Sequence, residues 1–204
     1  MAPRHKTRRA LLSVYNKGLA FEDLVSNLKR SGYELIASGG TFKFINEVMG
    51  LPVIDTGEIT QLKKPVLDHR VATLCPELHG GLLADEQLHA AELEKLGWPH
   101  IDMVVCTFYP LAKTMEEKVG DFVAINNQVD IGGPTLARSA IKGGRIVVVD
   151  ETDFEYVIDQ MTRGHGIRPK DKFWLQSKAC ASIAAYVAME SVFRCNQTRP
   201  KMTK

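Results

Sequence analysis

An α/β fold, with a mostly parallel sheet flanked by helices, is what this chain predicts. Three observations carry that expectation. Apolar runs at residues 10–14, 34–37, 52–55, 101–106 and 146–150 are short and nearly continuous, as in strands buried on both faces. Segments with helical spacing follow several of these runs, which points to strand–helix–strand units. The turns that leave the strands are rich in Gly, Ser and Thr, and parallel sheets take their ligands at the carboxyl ends of strands.

In chain order, residues 10–14 read as a first buried strand. Leu19, Phe21, Leu24, Val25 and Leu28 are spaced for a helix over 19–31, and Gly32 stops it. A second strand at 34–37 ends in Ser38, Gly39 and Gly40. A helix over 41–49 follows, with Gly50 as its stop, and then a short strand at 52–55. Residues 68–81 are polar and irregular, and are expected to form a long loop of the kind that builds sites beside a sheet. Residues 101–106 make a strongly buried strand in which Cys106 is a small hydrophobe. Pro134 suits the first turn of a helix that carries Lys142, and residues 146–150 form the last strand. Ala179, Ile183, Tyr186 and Val187 give 169–194 a packed helical stripe over the sheet. Residues 1–195 are expected to form one domain and 196–204 a flexible polar tail.

Composition narrows the function. The chain has 204 residues, 45% apolar and 25% charged, with a net charge of +2, a soluble balance with enough length for a core. So small a charge gives no support to a nucleic-acid surface. The basic run Arg4, His5, Lys6, Arg8 and Arg9 lacks the apolar stretch of a signal peptide and reads as a solvated tail. No stretch approaches membrane-spanning length. Cys75, Cys106, Cys180 and Cys195 form no CxxC pair, so no zinc site is expected, and reduced thiols fit a cytoplasmic protein.

The most informative segment is Asp130, Ile131, Gly132, Gly133 and Pro134, leading into the helix that bears Lys142. Glycines let backbone approach a ligand, and a helix start offers N–H groups to an anion or carbonyl oxygen. An acid, backbone donors and a base in one short stretch look like a place where protons move. The Ser38, Gly39, Gly40, Thr41 turn reads equally as a phosphate cradle or an ordinary helix cap. Lys17 could add a cation there, although a solvated lysine is the commoner case. Arg70 could hold a phosphate or stack on a base, and Thr73 could donate a hydroxyl. A structural role suits His79 better than acid–base work. After Cys106 and Thr107, Tyr109 is read with equal weight as a ligand-binding hydroxyl or an aromatic plug.

Taken together these motifs resemble the inosine monophosphate cyclohydrolase domain, the N-terminal part of the bifunctional enzyme of late purine biosynthesis. The family's Ser-Val-Ser-Asp-Lys segment reads Ser13, Val14, Tyr15, Asn16, Lys17 here. Its Ser-Gly-Gly-Thr turn is intact at residues 38–41, its Asn-Leu-Tyr-Pro segment stands at 107–110, and its Asp-Ile-Gly-Gly segment with the downstream lysine is intact at 130–133 and 142. The resemblance implies a methylglyoxal synthase-like fold. It also implies an enzyme without metal or cofactor that closes the purine six-membered ring of a formamido-imidazole-carboxamide ribotide with loss of water. By resemblance Lys142 and Asp130 are the acid–base pair with Tyr109 beside them. The resemblance likewise implies that Tyr15, Asn16, Lys17, Ser38, Gly39, Gly40, Thr41, Arg70, Val71, Thr73, Cys106, Thr107, Ile131, Gly132 and Gly133 hold the ribonucleotide. A homodimer is expected on the same ground. The folate-dependent formyltransferase half has no counterpart in these residues, so a separate formyltransferase would supply the substrate.

This chain departs from the family where Arg-Val-Lys-Thr-Leu-His-Pro reads Arg70, Val71, Ala72, Thr73, Leu74, Cys75, Pro76. The family's active-site lysine is an alanine, and His69 replaces a glycine. Tyr15 and Asn16 stand where the family has small and acidic residues. Three readings follow: a cyclohydrolase in which another group such as His69 takes over part of the lysine's role, the same ring closure on an analogue ribotide, or a non-catalytic purine-nucleotide-binding regulator.

Overall fold

The computed structural model describes residues 7–60, 66–67, 70–164 and 166–198. The first strand, β1 (Arg8–Ser13), is followed by α1 (Leu19–Arg30), β2 (Tyr33–Ala37) and α2 (Gly39–Lys43), which runs on as a π-helical turn over Phe44–Val48. Next come β3 (Ile54–Asp55), α3 (Thr56–Thr60), α4 (Pro76–Leu83) and α5 (Ala90–Leu96). The second half contains β4 (Met103–Cys106), α6 (Leu111–Glu117), α7 (Phe122–Asn127), α8 (Gly132–Lys142), β5 (Ile146–Val148), α9 (Phe154–Thr162) and α10 (Pro169–Thr198).

The five strands lie in the order β3-β2-β1-β4-β5, and every pairing is parallel. The expected α/β architecture, with its mostly parallel sheet, is therefore present. Its cause is visible strand by strand: Ala10, Leu11 and Leu12 are fully buried, as are Met103, Val104, Val105 and Cys106. Alternate residues enter opposite cores. Leu12 and Val105 pack with Phe21, Leu24 and Phe154 on one face, while Leu11 and Val104 pack with Leu78, Leu136 and Ala179 on the other. Each large apolar side chain buried in this way contributes roughly 1.5–3 kcal/mol.

Several boundaries differ from the expectation. The helix expected at 41–49 starts at Gly39, and residues 169–194 belong to one helix, α10. Helices α3, α5, α6, α7 and α9 are short and were not legible as periodic segments. The long loop expected over 68–81 is half helix, because α4 begins at Pro76. The Gly80-Gly81 pair suggests a turn, yet both residues are helical. Close packing requires their smallness: a Cβ at Gly81 would lie 2.0 Å from the Pro99 carbonyl oxygen and one at Gly80 2.5 Å from the Trp98 ring.

The basic N-terminal run is also corrected in part. Arg4, His5 and Lys6 lie outside the described residues, but Arg8 and Arg9 belong to β1. Arg8 covers the Tyr33 ring at 4.6 Å and Arg9 pairs with Glu34. At the other end α10 carries the chain through Thr198, and residues 199–204 of the expected tail lie outside the described region. Among the described residues no helix is long and apolar enough to cross a membrane, and no cluster of three or more His, Cys, Asp or Glu could hold a metal.

Candidate active site

Five segments meet at the carboxyl ends of β1, β2 and β4. The loop after β1 supplies Tyr15, Asn16 and Lys17, and the turn after β2 supplies Ser38, Gly39, Gly40 and Thr41. The stretch leading into α4 supplies Arg70, Val71 and Thr73, the loop after β4 supplies Thr107 and Tyr109, and the start of α8 supplies Asp130, Ile131, Gly132 and Gly133. Local contacts hold them together. The Thr107 hydroxyl accepts the Tyr15 N–H at 2.7 Å. Lys17 Nζ donates to the Tyr15 carbonyl at 3.0 Å and lies 3.7 Å from where a Gly40 Cβ would stand. Tyr15 and Tyr109, both about half exposed, meet edge to face with centroids 5.8 Å apart.

Asp130 is the electrostatic centre. Its Oδ1 accepts the Gly133 N–H at 2.9 Å and its Oδ2 the Tyr109 N–H at 3.3 Å. Burial pushes its carboxyl pKa up, against backbone N–H groups of Gly133, Tyr109 and Gly132 that pull it down. Burial and the nearby Asp130 charge raise the Tyr109 phenol in the same way, so Tyr109 remains a proton donor at neutral pH. Burial lowers the Lys17 pKa.

These bonds correct one expectation. At the start of α8 the Gly133 N–H is not free for a ligand, because the carboxylate of Asp130 already takes it. Glycine is needed there for closeness: a Cβ at Gly133 would lie 2.8 Å from Asp130 Oδ2 and 2.9 Å from the Phe108 ring. Gly133→Ala should therefore push the carboxylate out of place. A displacement of an ångström at a reacting group costs about a hundredfold in rate, so kcat should fall on that scale in a steady-state assay of the folded variant.

Lys142 is a second correction. It is the last residue of α8 and is exposed. That helix has 11 residues, so it is about 16 Å long at the usual rise. Because α8 returns the chain to the amino end of β5, which runs parallel to β4, Lys142 lies toward the amino ends of the strands and Asp130 toward their carboxyl ends. The two residues share a segment of sequence but not a site. Lys142→Ala is expected to behave as an ordinary surface substitution, changing stability by no more than about 0.5 kcal/mol and leaving turnover at the parent level. Loss of turnover would restore the lysine to the mechanism.

Other predicted residues divide into exposed and internally committed groups. The Thr41 hydroxyl is buried and exchanges bonds with Val14, accepting its N–H at 3.1 Å and donating to its carbonyl at 3.2 Å. It ties α2 to the end of β1 and is not free for a phosphate. Cys106 is fully buried, and its thiol donates to the Gly133 carbonyl at 3.5 Å. Desolvation pushes its pKa far up, which makes it core and not a ligand-binding group. Thr73 is buried with its hydroxyl 3.0 Å from where a Gly132 Cβ would stand. Arg70 is exposed and donates to Asn127 Oδ1 at 2.9 Å. Asn16 Nδ2 donates to Glu151 Oε2 at 3.0 Å. Val71 is half-buried, Ile131 is exposed, and His69 lies outside the described residues. His79, on α4, meets Ser139 at 2.8 Å, which is a packing role.

Beyond Tyr109 a cavity of about 530 Å³ opens toward β5, lined by Thr107, Tyr109, Asp150, Glu151, Ser182 and Tyr186 among others. Glu151 and Tyr186 were not singled out from sequence as site residues. Tyr186 carried only the signal of a packed stripe, and its partner is 56 residues away.

A parallel sheet with this cluster of turns at its carboxyl edge defines a class of domain. The profile of the MGS-like domain family matches residues 20–135, more than half of the chain, and the chain belongs to that family. The resemblance drawn from the motifs is met by its relatives. The bifunctional purine biosynthesis protein PurH of Bacillus cereus (strain Q1) is 37% identical over 194 residues, covering 93% of this chain and 37% of that protein. The PurH of Bacillus cytotoxicus is 38% identical over the same length. The chain thus spans 37% of the length of these relatives. Among solved structures, the crystal structure of ForH superposes with a TM-score of 0.78 at 27% identity, covering 92% of this chain and 99% of that one.

Proposed function

We propose that this chain is a cyclohydrolase that closes the purine six-membered ring of a formamido-imidazole-carboxamide ribotide, giving inosine monophosphate and water. The observation that carries this reading is Asp130: a half-buried carboxylate with a raised pKa, held between two backbone donors beside a protonated tyrosine. The kinship to PurH proteins supports the choice of reaction.

The chemistry suits those groups. A carboxamide nitrogen is a weak nucleophile, so its proton must leave as it attacks the formyl carbon. Asp130 takes that proton, and a carboxyl pKa raised by burial makes it a stronger base than an exposed aspartate. The carbon–nitrogen bond forms and the formyl oxygen takes up the electron pair. Tyr109 protonates this oxygen, and the hydroxyl then leaves as water with the one proton that Asp130 took, while the formamido nitrogen forms the ring C=N double bond and its own N–H proton returns to Tyr109. Lys17 and the backbone of the turn at residues 38–40 hold the phosphate end, and Arg70 and Thr73 flank the substrate. The acceptor is a small ribonucleotide, and the reading needs neither metal nor cofactor. A separate formyltransferase activity supplies the formylated ribotide, and the protein works in the cytoplasm as a homodimer.

A second reading, the same ring closure on an analogue ribotide, has its own support. Tyr15 packs edge to face on Tyr109, Asn16 is engaged by Glu151, and residue 72 lacks the family's cation. The match to ForH over nearly its whole length is compatible with either substrate. Purified protein mixed with the formylated ribotide, with ring closure followed by absorbance, tests the first reading. Turnover at background with the purine precursor but not with an altered heterocycle selects the second. Binding of inosine monophosphate without turnover of either would leave a regulator.

A further inference from the structure

Tyr186 stands on α10 and is nearly buried. Its hydroxyl oxygen accepts the Asp130 N–H at 2.8 Å, and its own proton is directed to the Gln128 carbonyl at 3.5 Å. The ring is pinned as well, edge to face with Phe108 at 5.5 Å and within the cluster of Leu111, Ile125 and Phe193. Burial pushes the phenol up to about 12, so it stays neutral and can serve as donor and acceptor at once.

We infer that Tyr186 is a positioning residue for Asp130, holding its backbone so that the carboxylate stays on the Gly133 and Tyr109 N–H groups. This rests on the reading of Asp130 as the base. The same peptide unit is gripped at both ends: Tyr186 holds the main chain, and the two N–H groups hold the side chain. Around the carboxylate stand Cys106 from β4, Tyr109 from the following loop, and Tyr186 from α10, with Glu190 of α10 beyond it. None of these groups is a cation. What offsets burial of the Asp130 charge is therefore the set of backbone N–H groups, and these act only while the loop is in register. Slackening the tether weakens them and moves the titration of Asp130 upward.

The test compares Tyr186→Phe with Ile183→Val, a packing change on the same helix. Tyr186→Phe should lower kcat by about tenfold to a hundredfold, the scale of a small misplacement of a reacting group, with KM unchanged. The acid limb of its kcat/KM profile should move to higher pH, and the Asp130 amide should exchange with solvent faster than in the parent. Ile183→Val should move neither the limb nor that amide. A folded Tyr186→Phe variant with parental kcat, limb and exchange overturns the inference. If the amide exchanges faster but no variant, parent included, closes a ring, the tether stands and the catalytic reading fails. Should Tyr186→Phe not fold, a ring-fluorinated tyrosine at 186 weakens the oxygen as an acceptor without removing it. The same shifts at smaller size support the inference, and an unmoved limb and amide overturn it.

Discussion

Asp130→Asn is expected to lower kcat by about a hundred- to ten-thousandfold, the usual contribution of a positioned general base, while the protein stays folded. The amide oxygen can still accept the Gly133 N–H that now binds Oδ1, while the amide nitrogen in place of Oδ2 gives up the Tyr109 N–H. The stability side has a definite sign. A carboxyl whose folded pKa lies above its unfolded value of 3.8 contributes stability that is complete below that value and fades as pH rises through the folded pKa. At neutral pH the charged Asp130 is therefore a cost that asparagine removes. Thermal melts across pH should show the variant less sensitive to pH than the parent between the two pKa values. An asparagine variant that turned over at the parental rate would remove Asp130 from the mechanism.

Ala72→Lys is expected to raise turnover of the purine precursor by about a hundred- to thousandfold, the range associated with one donor to a developing oxyanion. Asp130 takes the Gly133 N–H at the helix start, so that donor is not offered to a developing oxyanion. Ala72 is exposed and adjoins Thr73, whose hydroxyl stands 3.0 Å from where a Gly132 Cβ would be, so a lysine at 72 is next in sequence to a residue beside the start of α8. Single-turnover kinetics on the formylated ribotide would register the gain. If the parent is near background and the lysine brings nothing, the purine precursor is the wrong substrate, and the analogue reading takes its place.

Much of the site was legible because its parts are local. The turn at 38–41 and Tyr109 follow buried strands and fall at their carboxyl ends, and Gly132 and Gly133 stand out as a glycine pair after an acid and before a helix. The roles were less legible. Thr41 looked like a phosphate ligand but spends its hydroxyl on Val14. Gly80 and Gly81 looked like a turn but lie inside α4, where Trp98 and Pro99 press on them. In each case the deciding partner is distant in sequence, and no periodicity records it.

Sequence by itself determined that the strands are buried on both faces and parallel, since that depends on the run of apolar residues along each strand. It also determined where the glycine-rich turns interrupt the chain and which acid and phenol stand beside them. Only the tertiary structure decided which groups meet. Helix α8 runs back along the strands, and its rise carries Lys142 toward their amino ends while Asp130 stays at their carboxyl ends. The packing of α10 brings the Tyr186 hydroxyl onto the Asp130 amide. Helix direction and sheet order set these distances, and neither is a property of the short segments that carry the motifs.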